Sequence, residues 1–244
     1  MADEAPDLAG IYITDDFIDV VLGRDQEALR RKRSVAELRL SSDPKVNQNI
    51  FRFKEDRPVS EAFRNAGDWI KARATGGLRS IGIGCYGPFK KISREDRGHP
   101  DYGTLDTTSH GRLSNLNIPQ LVLNGLGRTQ EHGPKITMET DVGLAAIGSV
   151  YNRSRSAASR DDTIDDQVIV FVKASLGIGG AFLRASTPWH GRLHPEMGQC
   201  NVPRWPDPNG VEPKWRYSGA MNKNSIEGLA SVEAIETRYS TKFD

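Results

Sequence analysis

The sequence predicts an α/β chain built as two related lobes. A strand hairpin, helix, strand and helix follow one another up to about residue 151, a second apolar hairpin starts near Gln167, and a helical pattern closes the chain. At 244 residues the chain is long enough for a substantial core, in one large or two small domains.

The apolar runs Ala9 to Ile13 and Phe17 to Leu22 flank the polar Thr14-Asp15-Asp16, so they read as a hairpin. A third strand is expected from Ser34 to Leu40. Between Ser60 and Ala74 the residues Ala62, Phe63, Ala66, Trp69, Ile70 and Ala74 recur at helical spacing, and Gly76-Gly77 ends the pattern. Leu78 to Tyr86 reads as a buried strand closed by the turn pair Gly87-Pro88. The stretch from there to Asn117 is polar and irregular. Pro119 then opens a short helix ending near Gly125 to Gly127.

Lys135 to Thr140 reads as a strand, and Asp141 is placed to cap a helix running to about Tyr151. Residues 152–166 are rich in Arg, Ser and Asp, which marks an exposed linker. The expected organisation is therefore a first lobe over 1–152, a linker over 153–166 and a partial second lobe over 167–244. In that lobe Gln167 to Lys173 and Gly179 to Leu183 form a second hairpin. Ser186 to Lys223 shows no regular pattern, and Ser225 caps a last helix to Tyr239.

Lys plus Arg number 33 against 32 for Asp plus Glu, a net charge of +1, which gives no general field for nucleic acid or anionic membrane. The basic run Arg30 to Arg33 has no aromatic companions and reads as a solvated strand end or loop. No apolar run approaches the roughly 18–20 residues of a membrane span. The acidic start MADEAPDLAG is unlike a secretory signal, so the expected location is cytoplasmic. Cys85 and Cys200 form no CxxC pair and are expected as reduced thiols.

Four segments together resemble the ROK family of sugar kinases and repressors, on its fructokinase-like branch. Gly82-Ile83-Gly84-Cys85-Tyr86-Gly87-Pro88 resembles the family's strand and Gly-Pro turn over the sugar. Glu139-Thr140-Asp141-Val142-Gly143-Leu144-Ala145-Ala146 resembles its Asn-Asp-x-Asn-Ala-Ala helix start. Leu176-Gly177-Ile178-Gly179-Gly180 resembles its second phosphate loop. His194-Pro195-Glu196-Met197-Gly198, followed by Glu227-Gly228-Leu229-Ala230-Ser231, resembles the fructokinase subgroup.

The resemblance implies the actin-like, ribonuclease H-like two-lobed sugar-kinase fold, with the second lobe truncated. It implies ATP-dependent phosphoryl transfer, with Mg2+, to a hydroxyl of fructose or another hexose, and dimerisation as a family expectation. Asp141 falls at the base position, where proton transfer is worth about 10²–10⁴ in rate; taken alone it reads as a helix cap. Thr140, Gly87 and Glu196 fall at sugar contacts, with His194 beside them, and Gly177, Gly179 and Gly180 at a remnant nucleotide loop.

Several positions depart from the family pattern. Its first phosphate loop, acid-x-Gly-Gly-Thr, is here Tyr12-Ile13-Thr14-Asp15-Asp16, and Leu176 replaces a phosphate-binding Thr. Gln199 stands where the family has a zinc-binding His, and no Cys or His follows Cys200. Structural zinc takes about four N or S ligands, so none is expected. These departures define a second reading, a degenerate pseudokinase serving as a sugar-binding or protein-interaction module.

Overall fold

The computed structural model describes residues 6–23, 48–107, 111–156, 167–175, 177–184, 187–189, 196–202 and 225–239. The chain divides into two compact units, with the break between Asp141 and Val142. Composition had placed that boundary at 153–166, of which residues 157–166 lie outside the described residues.

The first unit holds a five-stranded mixed sheet of order β3-β2-β1-β4-β5. Its strands are β1 (Leu8–Ile13), β2 (Phe17–Gly23), β3 (Gln48–Arg52), β4 (Ser80–Cys85) and β5 (Lys135–Thr140). β4 runs parallel to both β1 and β5, while β2 is antiparallel to β1 and β3. Alternation along β1 buries Ala9, Ile11 and Ile13, and β2 buries Ile18, Val20 and Leu22. They join Ile81 and Ile83 of β4 in one core. Each buried aliphatic side chain contributes about 1.5–3 kcal/mol relative to exposure.

Helices α1 (Val59–Arg73) and α2 (Ile118–Leu126) add Phe63, Ile70, Val122 and Leu126 to this core. Asn117 caps α2 by accepting from Gln120 N at 2.8 Å, and Gly127 ends it in the left-handed conformation. The helices touch backbone to backbone. A Cβ on Gly67 of α1 would collide with the Gly125 carbonyl, and one on Gly125 with the Phe63 carbonyl.

The expected strand at Ser34 to Leu40 lies outside the described residues; the third strand among them is β3, whose Gln48-Asn49 start is polar. Its pairing has a tertiary cause. Gln48 Nε2 donates to both oxygens of the buried Asp19 on β2, at 2.8 Å each. The stretch from 87 to 117 is irregular, as expected, yet it buries Phe89, Ile92, Tyr102, Leu105 and Leu113.

The second unit contains α3 (Asp141–Ser156 from Val142 onward), β6 (Val168–Ala174), β7 (Ile178–Arg184), β8 (Thr187–Pro188), α4 (Ile226–Ala230) and α5 (Val232–Tyr239). One face of the antiparallel β6-β7-β8 sheet packs Ile169, Phe171, Ala181 and Leu183 against Val142, Ala146 and Ile147. The other carries the exposed Val168, Val170, Val172 and Phe182, with exposed Trp189 bonded through its N–H to Phe182 O. The single closing helix expected from periodicity is two helices. Ser231 is extended (ψ 159°) and its Oγ accepts from Ala234 N, so it ends α4 and caps α5.

Candidate functional site

Strand register assembles the candidate site in the first unit. Ile13 pairs with Cys85 and Cys85 with Thr140, so β1, β4 and β5 end level. Just past that edge come Thr14-Asp15-Asp16, Tyr86-Gly87 and Asp141. In open α/β sheets, ligands bind outside the carboxyl ends of the strands. Asp141 is the first residue of α3, as the sequence predicts.

The β1–β2 turn is satisfied from within. Thr14 Oγ1 accepts from Asp16 N and Phe17 N, both at 3.1 Å, and Thr14 N donates to Phe17 O at 3.0 Å. Two N–H groups that a glycine loop would turn toward phosphate are therefore already engaged. The Asp15 carboxylate faces Gly111, whose φ of 94° and close approach both exclude a side chain.

The Tyr86 hydroxyl is buried beside Asp15 without a well-aligned hydrogen bond. Burial, then the adjoining Asp15 carboxylate, raises its pKa. Burial also raises the Cys85 pKa, with the Asp141 and Asp15 charges adding to it. The Cys85 thiol therefore stays protonated near neutral pH and is no nucleophile. Thr140 is buried, and its hydroxyl donates to Glu139 Oε1 at 3.3 Å. Gly87 forms the turn into a cis Pro88.

In the second unit each loop glycine is closely packed. A Cβ on Gly177 would meet Glu227 Oε2 at 2.7 Å, and one on Gly179 or Gly180 would collide with Val142 or Met197. The β-branched Val142 gives Gly179 a packing reason, whereas at Gly177 and Gly180 the atoms met are the far ends of the Glu227 and Met197 side chains, which can shift. Leu176 and His194 lie outside the described residues.

Glu227 organises this region, a role its sequence position did not disclose. Its carboxylate accepts from Ile178 N and from Gln199 Nε2, both at 2.8 Å, tying α4 to the hairpin and to the turn at Met197–Gln199. Gln199 is thus a hydrogen-bond donor here. Among the described residues no group of three or more His, Cys, Asp or Glu is placed to hold a metal. Glu227→Ala removes both bonds, and hydrogen bonds to charged groups are worth about 1.5–3 kcal/mol each. A loss of about 3 kcal/mol of stability is expected in urea unfolding, with a smaller loss for Glu227→Gln.

Glu196 sits half-buried in the left-handed region at φ 40°, a conformation that costs about 1 kcal/mol for a non-glycine residue and clusters at functional sites. Burial first, then the charge of Glu227, raises its pKa from the ordinary 4.5. A raised folded-state pKa makes its stabilising contribution complete below 4.5 and lost as pH rises through the folded value. Glu196→Gln should therefore melt higher than the parent at neutral pH and lose that advantage in acid. Partial exposure holds the gain under about 1 kcal/mol; melting curves across pH check it.

No family model matches the sequence. The chain is similar to a fructokinase from Zymomonas mobilis subsp. mobilis, 29% identical over 160 residues, covering 66% of this chain and 46% of the relative. Among solved structures, a ROK hexokinase from Thermus thermophilus superposes with a TM-score of 0.57 at 16% identity, covering 97% of this chain and 65% of that one. The chain has the fold of the ROK sugar kinases. A ROK family glucokinase from Streptomyces griseus, solved with glucose and AMPPNP, shares the fold with a TM-score of 0.50 at 18% identity. It is covered to 58% of its length by 93% of this chain.

The ROK fold makes this an actin-like α/β chain, as the motif resemblance implied. The chain spans about half the length of the fructokinase and about two thirds of the hexokinase. Among the described residues no helix is long and apolar enough to cross a membrane.

Proposed function

We propose that the chain belongs to a carbohydrate kinase acting on a hexose hydroxyl, with magnesium–ATP as phosphoryl donor. In the transfer, the sugar oxygen bonds to the γ-phosphorus as the bond to the ADP oxygen breaks, and the Asp141 carboxylate takes the hydroxyl proton. One observation carries this reading: Asp141 stands at the carboxyl end of β5, level with the ends of β1 and β4. The fructokinase and glucokinase relatives support a hexose as substrate. Glu196 is proposed as an acceptor for sugar hydroxyls, Thr140, Gly87 and His194 as further sugar-site residues, and Gly177, Gly179 and Gly180 as a remnant nucleotide loop. A cytoplasmic homodimer is the proposed form.

A second reading, sugar binding without transfer, is favoured by the β1–β2 turn. Its Asp16 and Phe17 N–H groups are engaged by Thr14, and Asp15 and Asp16 add exposed carboxylates. Like charges about 4 Å apart repel by about 4 kcal/mol at an effective dielectric near 20, so a triphosphate is disfavoured there unless a cation intervenes.

Thermal melting separates the two readings. A ligand that binds only the folded state at about 100 times its Kd adds about 2.7 kcal/mol. Shifts with both a hexose and magnesium–ATP support the kinase. A shift with hexose and none with magnesium–ATP selects the binding module.

A further inference from the structure

A hollow lies at the opposite end of the same sheet from Asp141. β5 enters at Lys135 and leaves at Thr140, so the hollow at its start lies about 17 Å along the strand from its Asp141 end. The half-open hollow has a volume of ≈ 600 Å³, within the range of small-molecule sites. Tyr102, Pro119 and Ile136 give it an apolar wall, and Arg97, His99 and Lys135 bring its ionisable groups; no Asp or Glu lines it.

Among the described residues, Arg97 and Lys135 at this hollow have no carboxylate partner, while His99 Nδ1 lies 3.9 Å from the Asp101 carboxylate. Arg97 Nη2 donates to the neutral Thr137 Oγ1 at 3.0 Å, and Arg97 Nε is buried with no acceptor. Among the described residues the Lys135 ammonium has no ion-pair partner. The nearby Asp96 faces Lys91 at 3.7 Å. His99 Nδ1 accepts from Asp101 N at 3.1 Å, so the neutral ring carries its hydrogen on Nε2 as a donor. A smaller hollow shares Gly133 and Pro134 with this one and is lined by Arg128, His132 and Lys71, the last paired with Asp68 at 2.8 Å. Concave surfaces lined by one sign of charge focus potential and concentrate counter-ions. A guanidinium with only a neutral partner also gains from a fixed anion.

We propose that this hollow is a second ligand site, for a small organic anion: a carboxylate or phosphate monoester on a flat apolar body. Arg97 and Lys135 take the anionic end, and the tyrosine–proline wall takes the body.

The test is calorimetric and NMR titration of the full chain with phenyl phosphate, benzoate and the neutral benzyl alcohol. Saturable binding of an anion with Kd on the order of 1 mM is expected, weakening at higher salt. The tighter of the two anions identifies the headgroup. Lys135 is exposed, so Lys135→Gln should leave the fold intact and weaken binding about fivefold, with a larger loss in Arg97→Gln. No saturation by either anion up to about 20 mM, equal binding of benzyl alcohol, or anion binding indifferent to Lys135→Gln would overturn the proposal.

Discussion

Gly67→Ala and Gly125→Ala are each expected to destabilise the first unit by about 3 kcal/mol or more, at the upper end of overpacking effects. The obstacle to the added methyl is backbone, which has no rotamer to change. A Cβ on Gly67 runs into the Gly125 carbonyl, and one on Gly125 runs into the Phe63 carbonyl. The helices must separate to admit either, and that strips packing from Phe63, Ile70, Val122 and Leu126 in the core beneath. Urea denaturation should show the midpoint falling by roughly 1–2 M. A midpoint within error of the parent would mean that the helices do not meet at these glycines.

Asp141→Asn is the substitution with the largest expected effect on chemistry. If Asp141 takes the hydroxyl proton, sugar phosphorylation falls by about 10²–10⁴ in kcat. Asn keeps a side-chain oxygen suited to a helix start, so stability should change by under about 1 kcal/mol. The two readouts separate a base from a cap. Lost turnover with an unchanged melting point supports the base, and unchanged turnover removes Asp141 from the mechanism.

How much was legible depended on whether a feature is local. β4, β5 and α2 carry their own punctuation: Gly87-Pro88 after one strand, Asp141 after the next, Asn117 and Gly127 around the helix. Their limits fell close to the expected positions. β3 has no such pattern, and the Gln48–Asp19 bridge that fixes it spans 29 residues. Ser231 reads as an ordinary helical residue until its hydroxyl is seen capping α5. At the candidate site, Asp141 was visible through the motif around it. The carboxylates at Asp15 and Asp16 were visible too, but the turn that engages its own N–H groups was not. Nothing local marks a role for Glu227, because its partners Ile178 and Gln199 are 49 and 28 residues away. The signal that could have found it is the glycine at 177, whose missing side chain makes room for that carboxylate.

Hexose titration of the parent chain beside Asp141→Ala tests the central claim most directly, because kinase and binding module alike require a sugar at the carboxyl ends of β4 and β5. The account predicts saturable binding of fructose or glucose with Kd on the order of 1 mM or tighter, weakened at least about tenfold by the substitution. No hexose binding up to about 50 mM, or binding equal in the two proteins, would contradict it.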